Sequence, residues 1–248
     1  MPDRGIEAVT FDFWNTLVWE APGQLVEGRL RAWAGLLEEA GIPTEAGRLA
    51  TAHEAAFSEY QAAWKANRQY VVADATARML AVLELDVEDD LRAALVRSFG
   101  EAGAATDLHL ADGVGDCLRA LRADGVDLGI VCDIGLTPSP TLLGLLDRRG
   151  LLELFGGWAF SDEVGVYKPE PEIFLVALEQ LGAGPEGAAH VGDRFRTDVA
   201  GARNLGMVSV RYTGVYDDPD RHLPEADIVV GQLADLPAAL GRVSSPAP

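Results

Sequence analysis

Acidic side chains follow several apolar segments of this 248-residue sequence. Asp12 ends the run "EAVTFD", Asp133 follows Cys132 in "GIVCD", and Asp193 ends "HVGD". Because ligands of parallel α/β sheets bind beyond the carboxyl ends of the strands, we expect these acids to converge at one edge. Asp12 and Asp193, with Asp198 five residues further on, offer the carboxylate oxygens that Mg²⁺ binds together with water and substrate phosphate.

Lysine is rare in this sequence, and Lys65 and Lys168 are the only two. Lys168 lies in "GVYKPEPEIF", where the two prolines hold the approach to a helix rigid. A lysine there supplies a compact positive charge for a phosphate or an anionic intermediate. Taken singly, each acid or the lysine has a simpler explanation as a turn former or a cap. A fourth predicted strand also ends in acids, in "WAFSDE". Because acids follow four strands, a purely structural role is a weaker explanation for all of them together.

Apolar segments alternate with helical patterns from about residue 109 onward, an order that predicts an α/β fold with a doubly wound parallel sheet. The first strand, 6–12, has the character of the same sheet. It is separated from the rest by about 85 residues with apolar side chains at helical spacing. We therefore predict three parts: an α/β core (1–19 and 106–241), an inserted all-helical cap (20–105) and a flexible tail (242–248).

The composition is that of an acidic globular protein, with a net charge of −19, a pI of about 4.4 and a mean hydropathy of +0.08. Such a surface repels nucleic acids and anionic membranes, so neither is an expected partner. A small anionic substrate needs a metal ion or a basic side chain instead. Cys117 and Cys132 form no disulfide framework, and no signal peptide or membrane span is recognisable. We expect a cytoplasmic protein, either a monomer or a homodimer.

Four segments, "FDFWNTL", "IVCD", "VYKPEPEIF" and "HVGDRFRTDVAGARNLGM", together resemble the motifs of the haloacid dehalogenase (HAD) superfamily in order and spacing. The resemblance implies a HAD-like core with a helical C1 cap. It implies that Asp12 is a nucleophile that forms a covalent aspartyl-phosphate. Lys168 corresponds to the lysine of the third motif, and Asp193 and Asp198 correspond to the acids that hold Mg²⁺ with Asp12.

The same resemblance assigns roles around the nucleophile. Cys132 takes the second-motif position, where a Ser or Thr hydroxyl usually holds a phosphate oxygen. Asp133 follows it, where Asn is frequent, and is expected to bind the substrate. The backbone carbonyl of Trp14 is implied as a further metal ligand. Backbone N–H groups of the turn from Phe13 to Asn15 are expected to donate to the substrate phosphate.

Trp14 departs from the pattern of the phosphatases, which place a second aspartate at this position as general acid and base. General acid–base catalysis typically contributes about 10²–10⁴-fold to a rate. The sequence therefore predicts Mg²⁺-dependent phosphoryl transfer with atypical proton handling. Either the leaving group has a low pKa, or the cap supplies the missing group, for which the candidates are His53, Glu54, Glu59 and Lys65.

Two alternatives stay open. The L-2-haloacid dehalogenases of the superfamily carry Tyr at the Trp14 position and expel a halide, which needs no proton. Their fourth motif departs from the phosphatase pattern, however, whereas "GDRFRTD" keeps both Asp193 and Asp198. The second alternative is a protein of low activity that binds a phosphorylated ligand and regulates. Trp14 favours it, but the retention of Asp12, Lys168 and both motif-four acids argues against it.

Overall fold

The computed structural model describes residues 5–105 and 108–243. They divide into two compact units. Within the described ranges, the first unit comprises the residues up to Trp19, His109–Asp133 and those from Asp147 onward, and the second comprises Glu20–Leu108 and Ile134–Leu146. Most of the predicted tail, residues 244–248, lies outside the described residues. The last helix continues to Val243, two residues beyond the predicted end of the core.

In the residues that the structure describes, eight strands belong to the first unit, and six of them form one parallel sheet. In chain order they are β1 (Ala8–Phe11), β2 (Val18–Trp19), β3 (His109–Leu110), β4 (Asp127–Cys132), β5 (Gly157–Phe160), β6 (Ala188–Gly192), β7 (Val208–Tyr212) and β8 (Ile228–Val230). The sheet order is β5–β4–β1–β6–β7–β8, while β2 and β3 form a separate antiparallel pair. The chain proceeds from β1 to one side and then, from β6, to the other. This reversal beside β1 is the place where ligands bind in doubly wound folds.

Ten α-helices accompany the strands in the described residues. They are α1 (Gln24–Glu39), α2 (Ala46–Lys65), α3 (Val72–Leu83), α4 (Asp89–Ala105), α5 (Val114–Ala123), α6 (Ser139–Arg148), α7 (Ser161–Val164), α8 (Pro171–Leu181), α9 (Ala200–Leu205) and α10 (Leu236–Val243). None of them is long and apolar enough to span a lipid bilayer.

The predicted doubly wound α/β core is confirmed. Its central strands are buried along their whole length, which is why they read as continuous apolar runs. Residues of α8 and α9 form one hydrophobic cluster with β1, β4, β5 and β6. One local difference bears on function. The sequence predicts a helix from residue 197, but Phe195–Val199 form a π-helical turn before α9 begins.

The segment Ile134–Leu146 was assigned from its sequence to the α/β core, but it packs with the helices of the second unit. Two glycines of α4 permit this packing. A Cβ atom at Gly103 would lie 2.9 Å from Thr137 Cγ2, and one at Gly100 would lie 3.0 Å from Pro138 Cδ. Only glycine allows so close an approach without displacing the segment.

Arg29 of α1 is buried and ties this segment to α4. Its Nε donates to the Phe99 carbonyl at 3.3 Å, and its Nη2 donates to Leu136 O at 2.7 Å and to Thr137 Oγ1 at 3.1 Å. The guanidinium lies 4.5 Å from the centre of the Phe99 ring. His53 stacks on the same ring at 5.7 Å, and burial together with the charge of Arg29 lowers its pKa to about 4.

The edge strand β5 is covered by a side chain of α8. The backbone N–H of Trp158 donates to Gln180 Oε1 at 3.1 Å, and Gln180 Nε2 donates to the Trp158 carbonyl at 2.8 Å. A Cβ atom at Gly157 would lie only 2.7 Å from Gln180 Cβ, so the glycine lets α8 approach the strand.

Candidate active site

Three aspartates meet beyond the ends of β1 and β6, which are neighbours in the sheet. Asp12 directly follows β1, and Asp193 directly follows β6. Their carboxylate oxygens and those of Asp198 lie within 4.8 Å of one another, and all three side chains are buried. The structure thus brings together the three acids that the sequence proposes as metal ligands.

Lys168 lies among these carboxylates and is only 2% exposed. Its Nζ donates to Asp12 Oδ1 at 2.5 Å, to Asp198 Oδ1 at 2.7 Å and to the Val131 carbonyl at 3.0 Å. Burial alone would lower the pKa of Lys168, but the adjacent carboxylates, with Asp12 first, raise it well above its ordinary value. The side chain is therefore a permanent cation, with all three ammonium hydrogens engaged.

The three carboxylates differ in their electrostatic state. Burial raises the pKa of Asp12 to about 7, against the opposing effect of Lys168. Burial also raises the pKa of Asp193 well above its ordinary value, and the charges of Asp12 and Asp198 add to this shift. For Asp198 burial acts in the same direction, but Lys168 and His190 outweigh it and hold the pKa below its usual range.

These shifts describe a site that lacks positive charge, because one ammonium group faces three carboxylates. A cation next to Asp193 and Asp12 would favour their ionised forms. The donors are all oxygens, which suits a hard divalent ion such as Mg²⁺ rather than a soft metal. The residues present therefore fit a divalent metal ion.

The π-helical turn holds Asp198 in place. The carboxylate accepts Lys168 Nζ and His190 Nε2 on Oδ1, the latter at 3.2 Å, and the backbone N–H of Arg194 on Oδ2 at 2.9 Å. The side chain of Asp198 also packs directly against Gly192 at the end of β6. Its orientation is thus determined by four neighbours: Lys168, Arg194 and two residues of β6.

Two residues near the site, Thr10 and His190, are absent from the sequence-based candidates. Thr10 Oγ1 lies 2.9 Å from His190 Nδ1, and the two residues face each other in the register of β1 and β6. Both are fully buried. The available signal was a polar residue inside each of two apolar strands, but its meaning depends on the strand pairing.

The turn after Asp12 contains three predicted substrate-binding residues. The Phe13 side chain is completely buried, so only its backbone can serve a ligand. The ring of Trp14 contacts Phe13 edge-on at 5.5 Å, and its backbone forms a bridge with Val18. Asn15 has a positive φ of 58° and donates from Nδ2 to Asp193 Oδ2 at 3.4 Å. The turn is therefore linked to the acidic cluster.

Cys132 and Asp133 follow one another at the end of β4. Burial, reinforced by Asp12, raises the pKa of the Cys132 thiol well above its ordinary value, so the group stays a neutral thiol. Asp133 Oδ1 accepts the backbone N–H of Lys168 at 2.9 Å. Asp133 thereby supports the segment that carries the lysine.

The four proposed acid–base candidates of the insert all lie on α2 in the second unit. His53 is buried and neutral at pH 7, because its pKa is lowered to about 4. Glu59 forms an exposed ion pair with Arg78 at 3.4 Å. The side chains of Glu54 and Lys65 are partly or fully exposed.

Comparisons with known proteins agree with this geometry. Glyceraldehyde 3-phosphate phosphatase of Methanopyrus kandleri is 42% identical over 102 residues, which cover 41% of this chain and 42% of that protein. The chain spans about half the length of the curated relatives it matches. Their activities therefore do not transfer directly to it.

Two solved structures cover nearly the whole chain. The HAD phosphatase of Thermococcus onnurineus has a TM-score of 0.63 at 26% identity and covers 95% of this chain and 98% of its own. The 2-haloacid dehalogenase of Pseudomonas syringae pv. Tomato DC3000 has a TM-score of 0.70 at 26% identity, with 96% and 99% covered. The family model of haloacid dehalogenase-like hydrolases matches residues 6–206. The chain belongs to the haloacid dehalogenase-like hydrolase family.

Proposed function

We propose that the protein is a Mg²⁺-dependent phosphatase that transfers a phosphoryl group from a small phosphorylated molecule to Asp12 and then to water. The observation that carries this proposal is the cluster of Asp12, Asp193 and Asp198 around Lys168. An anionic nucleophile and an anionic phosphate repel each other. A site that combines an ammonium group with a set of metal ligands is suited to overcome this repulsion.

Each member of the cluster has a proposed role. Asp12 Oδ1 is held by Lys168, which leaves Oδ2 free to attack phosphorus; the ester P–O bond breaks and the alkoxide departs. Water then cleaves the aspartyl-phosphate and releases inorganic phosphate. Mg²⁺, bound by Asp12, Asp193, Asp198 and the Trp14 carbonyl, would supply Lewis-acid neutralisation of the phosphate oxygens. Lys168 balances the charge of the transferring group.

Substrate contacts are proposed for the turn and for the end of β4. We expect two sets of groups to donate hydrogen bonds to the phosphate oxygens. They are the backbone N–H groups of the turn Phe13–Asn15 and the Cys132 thiol. A thiol is a weaker donor than the usual hydroxyl. We therefore assign most hydrogen bonds to the phosphate to the backbone, and the neutralisation of its charge to the metal ion and Lys168.

Trp14 determines the proposed class of leaving group. Its side chain has no carboxyl group to protonate a departing alkoxide. The substrate should therefore carry a leaving group whose conjugate acid has a low pKa. Acyl, enol and aryl phosphates meet this condition. The relatives named glyceraldehyde 3-phosphate phosphatase support a small phosphorylated molecule as substrate in general terms.

Carbon–halogen hydrolysis is the second candidate. The likeness to a 2-haloacid dehalogenase and the aromatic residue at position 14 favour it. The buried pair of Asp193 and Asp198 favours phosphoryl transfer, because like charges at this spacing are costly unless a cation binds them. A binding protein of low activity is the third candidate, for which Trp14 is the argument.

The test is hydrolysis of an activated aryl phosphate by wild type and Asp12→Asn, each with Mg²⁺ and with EDTA. We expect release that requires Mg²⁺ and disappears in Asp12→Asn. Release that persists in EDTA would contradict the metal-dependent mechanism. No release from wild type in either condition would favour the other two candidates, which a panel of 2-haloacids then separates.

A further inference from the structure

A continuous chain of polar contacts runs from the interior of the sheet to the nucleophile. Thr10 Oγ1 lies 2.9 Å from His190 Nδ1, and His190 Nε2 lies 3.2 Å from Asp198 Oδ1. The same oxygen accepts Lys168 Nζ at 2.7 Å, and Lys168 also reaches Asp12. Each of these five residues is at most 6% exposed, so bulk water does not compete for their contacts.

The positions of the protons follow from the partners. The carboxylate of Asp198 can only accept, so His190 Nε2 must carry a hydrogen where it faces Oδ1. Nδ1 faces the Thr10 hydroxyl, which can donate. The hydroxyl also lies 3.4 Å from the Ala189 carbonyl, so it can bridge this carbonyl and the ring. The ring is thus held at both nitrogens, by Asp198 at Nε2 and by Thr10 at Nδ1.

The ring is also fixed in its plane. Phe174 contacts His190 edge-on, with ring centres 4.9 Å apart and an interplanar angle of 85°. Thr10 and His190 pair directly in the register of β1 and β6, the two central strands of the sheet. The histidine therefore presents Nε2–H to Asp198 from a strand that is paired on both sides.

We propose that Thr10 and His190 are positioning residues for the reaction: the Thr10 hydroxyl holds the His190 ring at Nδ1, and Nε2–H of this ring holds Asp198 in the orientation that it needs towards Lys168 and the metal ion. The consequence for turnover rests on the proposed phosphatase function. The two hydrogen bonds of the His190 ring do not. Partners behind metal ligands typically change metal affinity or activity about 10–100-fold when they are removed.

The decisive variant is Thr10→Val, which keeps the shape of the side chain and removes the donor. Thr76→Val is its matched control, since the Thr76 hydroxyl is equally buried and has no hydrogen-bond partner in the part of the chain that the structure describes. Thr10→Ser should restore the donor. The readouts are the ¹⁵N NMR pattern of the His190 ring, and kcat and KM for an aryl phosphate with Mg²⁺.

In wild type we expect a hydrogen on Nε2, where the ring faces Asp198. In Thr10→Val we expect a changed ¹⁵N pattern of the ring, because Nδ1 loses its partner, and a kcat about 10–100-fold lower, with KM little changed because no substrate contact is lost. Thr10→Ser should resemble wild type, and so should Thr76→Val. Rescue by serine is not expected if Thr10 merely fills space.

A wild-type ring without a hydrogen on Nε2 would overturn the proposal, and so would a kcat of Thr10→Val equal to that of Thr76→Val. The NMR measurement needs no turnover and no variant, so it decides the arrangement even if Thr10→Val fails to fold. Wild type that shows the expected ring pattern but no phosphatase activity would support the arrangement and refute the proposed function instead.

Discussion

Gly192 and Asp198 are packed so closely that a Cβ atom at position 192 would overlap the Asp198 carboxylate. Gly192 is the last residue of β6, and Asp198 lies in the π-helical turn that follows. The glycine of "HVGD" is therefore required by close approach rather than by backbone conformation, since its φ is not in the left-handed region.

Gly192→Ala should displace the Asp198 carboxylate and lower Mg²⁺-dependent turnover by at least about tenfold. Overpacking of this kind costs about 1–3 kcal/mol, so the free energy of unfolding should fall as well. Turnover and urea unfolding measure the two effects. Gly35→Ala is the control, because a Cβ there meets nothing within 4 Å, and it should stabilise the helix slightly. Full activity in Gly192→Ala would contradict the proposed role of Asp198.

Trp14→Asp should speed hydrolysis of a simple alkyl phosphate, because it supplies the missing proton donor. An increase of about tenfold or more is expected, towards the lower end of the usual contribution of general acid–base catalysis. Trp14→Phe removes no charge and adds none, so it serves as the control. A rate for Trp14→Asp that is unchanged or lower would count against the role assigned to this position.

Arg29→Met should destabilise the second unit by about 2 kcal/mol, because the Phe99 and Leu136 carbonyls lose their donor. Urea unfolding of the variant measures this loss. Arg31→Met on the same helix is the matched control, since Arg31 is exposed and its replacement should change stability by less than about 0.5 kcal/mol. Equal stability of the two variants would show that Arg29 is not a structural tie.

Stability should depend on pH through His53. Its folded-state pKa of about 4 lies below the ordinary value of 6.5, so between these values the unfolded chain binds more protons. The free energy of unfolding should therefore rise from pH 4 to 6.5, by up to about 1.4 kcal/mol per pH unit from this group. His53→Gln should show a flatter profile. Identical profiles of variant and wild type would assign the acid sensitivity to other groups.

Much of the core and of the acidic site was predictable, because its signals are local. β1 and β6 are short apolar runs that end in Asp12 and Asp193, and the chain order alone implies a parallel sheet whose strand ends meet. The motif that carries Lys168 is equally contiguous. Convergence of these residues follows from the fold class, without knowledge of packing.

The rest depends on contacts between distant segments. Thr10 and His190 are 180 residues apart, and nothing in either strand alone indicates that they pair. The π-helical turn that carries Asp198 differs from an α-helix by a shift of hydrogen bonds that composition does not encode. Likewise, Ile134–Leu146 resembles any amphipathic segment of the core. Its fit against Gly100 and Gly103 and its hydrogen bonds to Arg29 place it with the second unit.

The two hydrogen bonds between the Gln180 side chain and the Trp158 backbone have a consequence for assembly. An edge strand with free backbone groups invites a strand of another molecule, and a sheet with two free edges can grow without limit in both directions. Here the Gln180 side chain already pairs with the N–H and C=O of Trp158 at the β5 edge. A strand of another molecule would have to displace this amide, so extension of the sheet at β5 is disfavoured by one side chain.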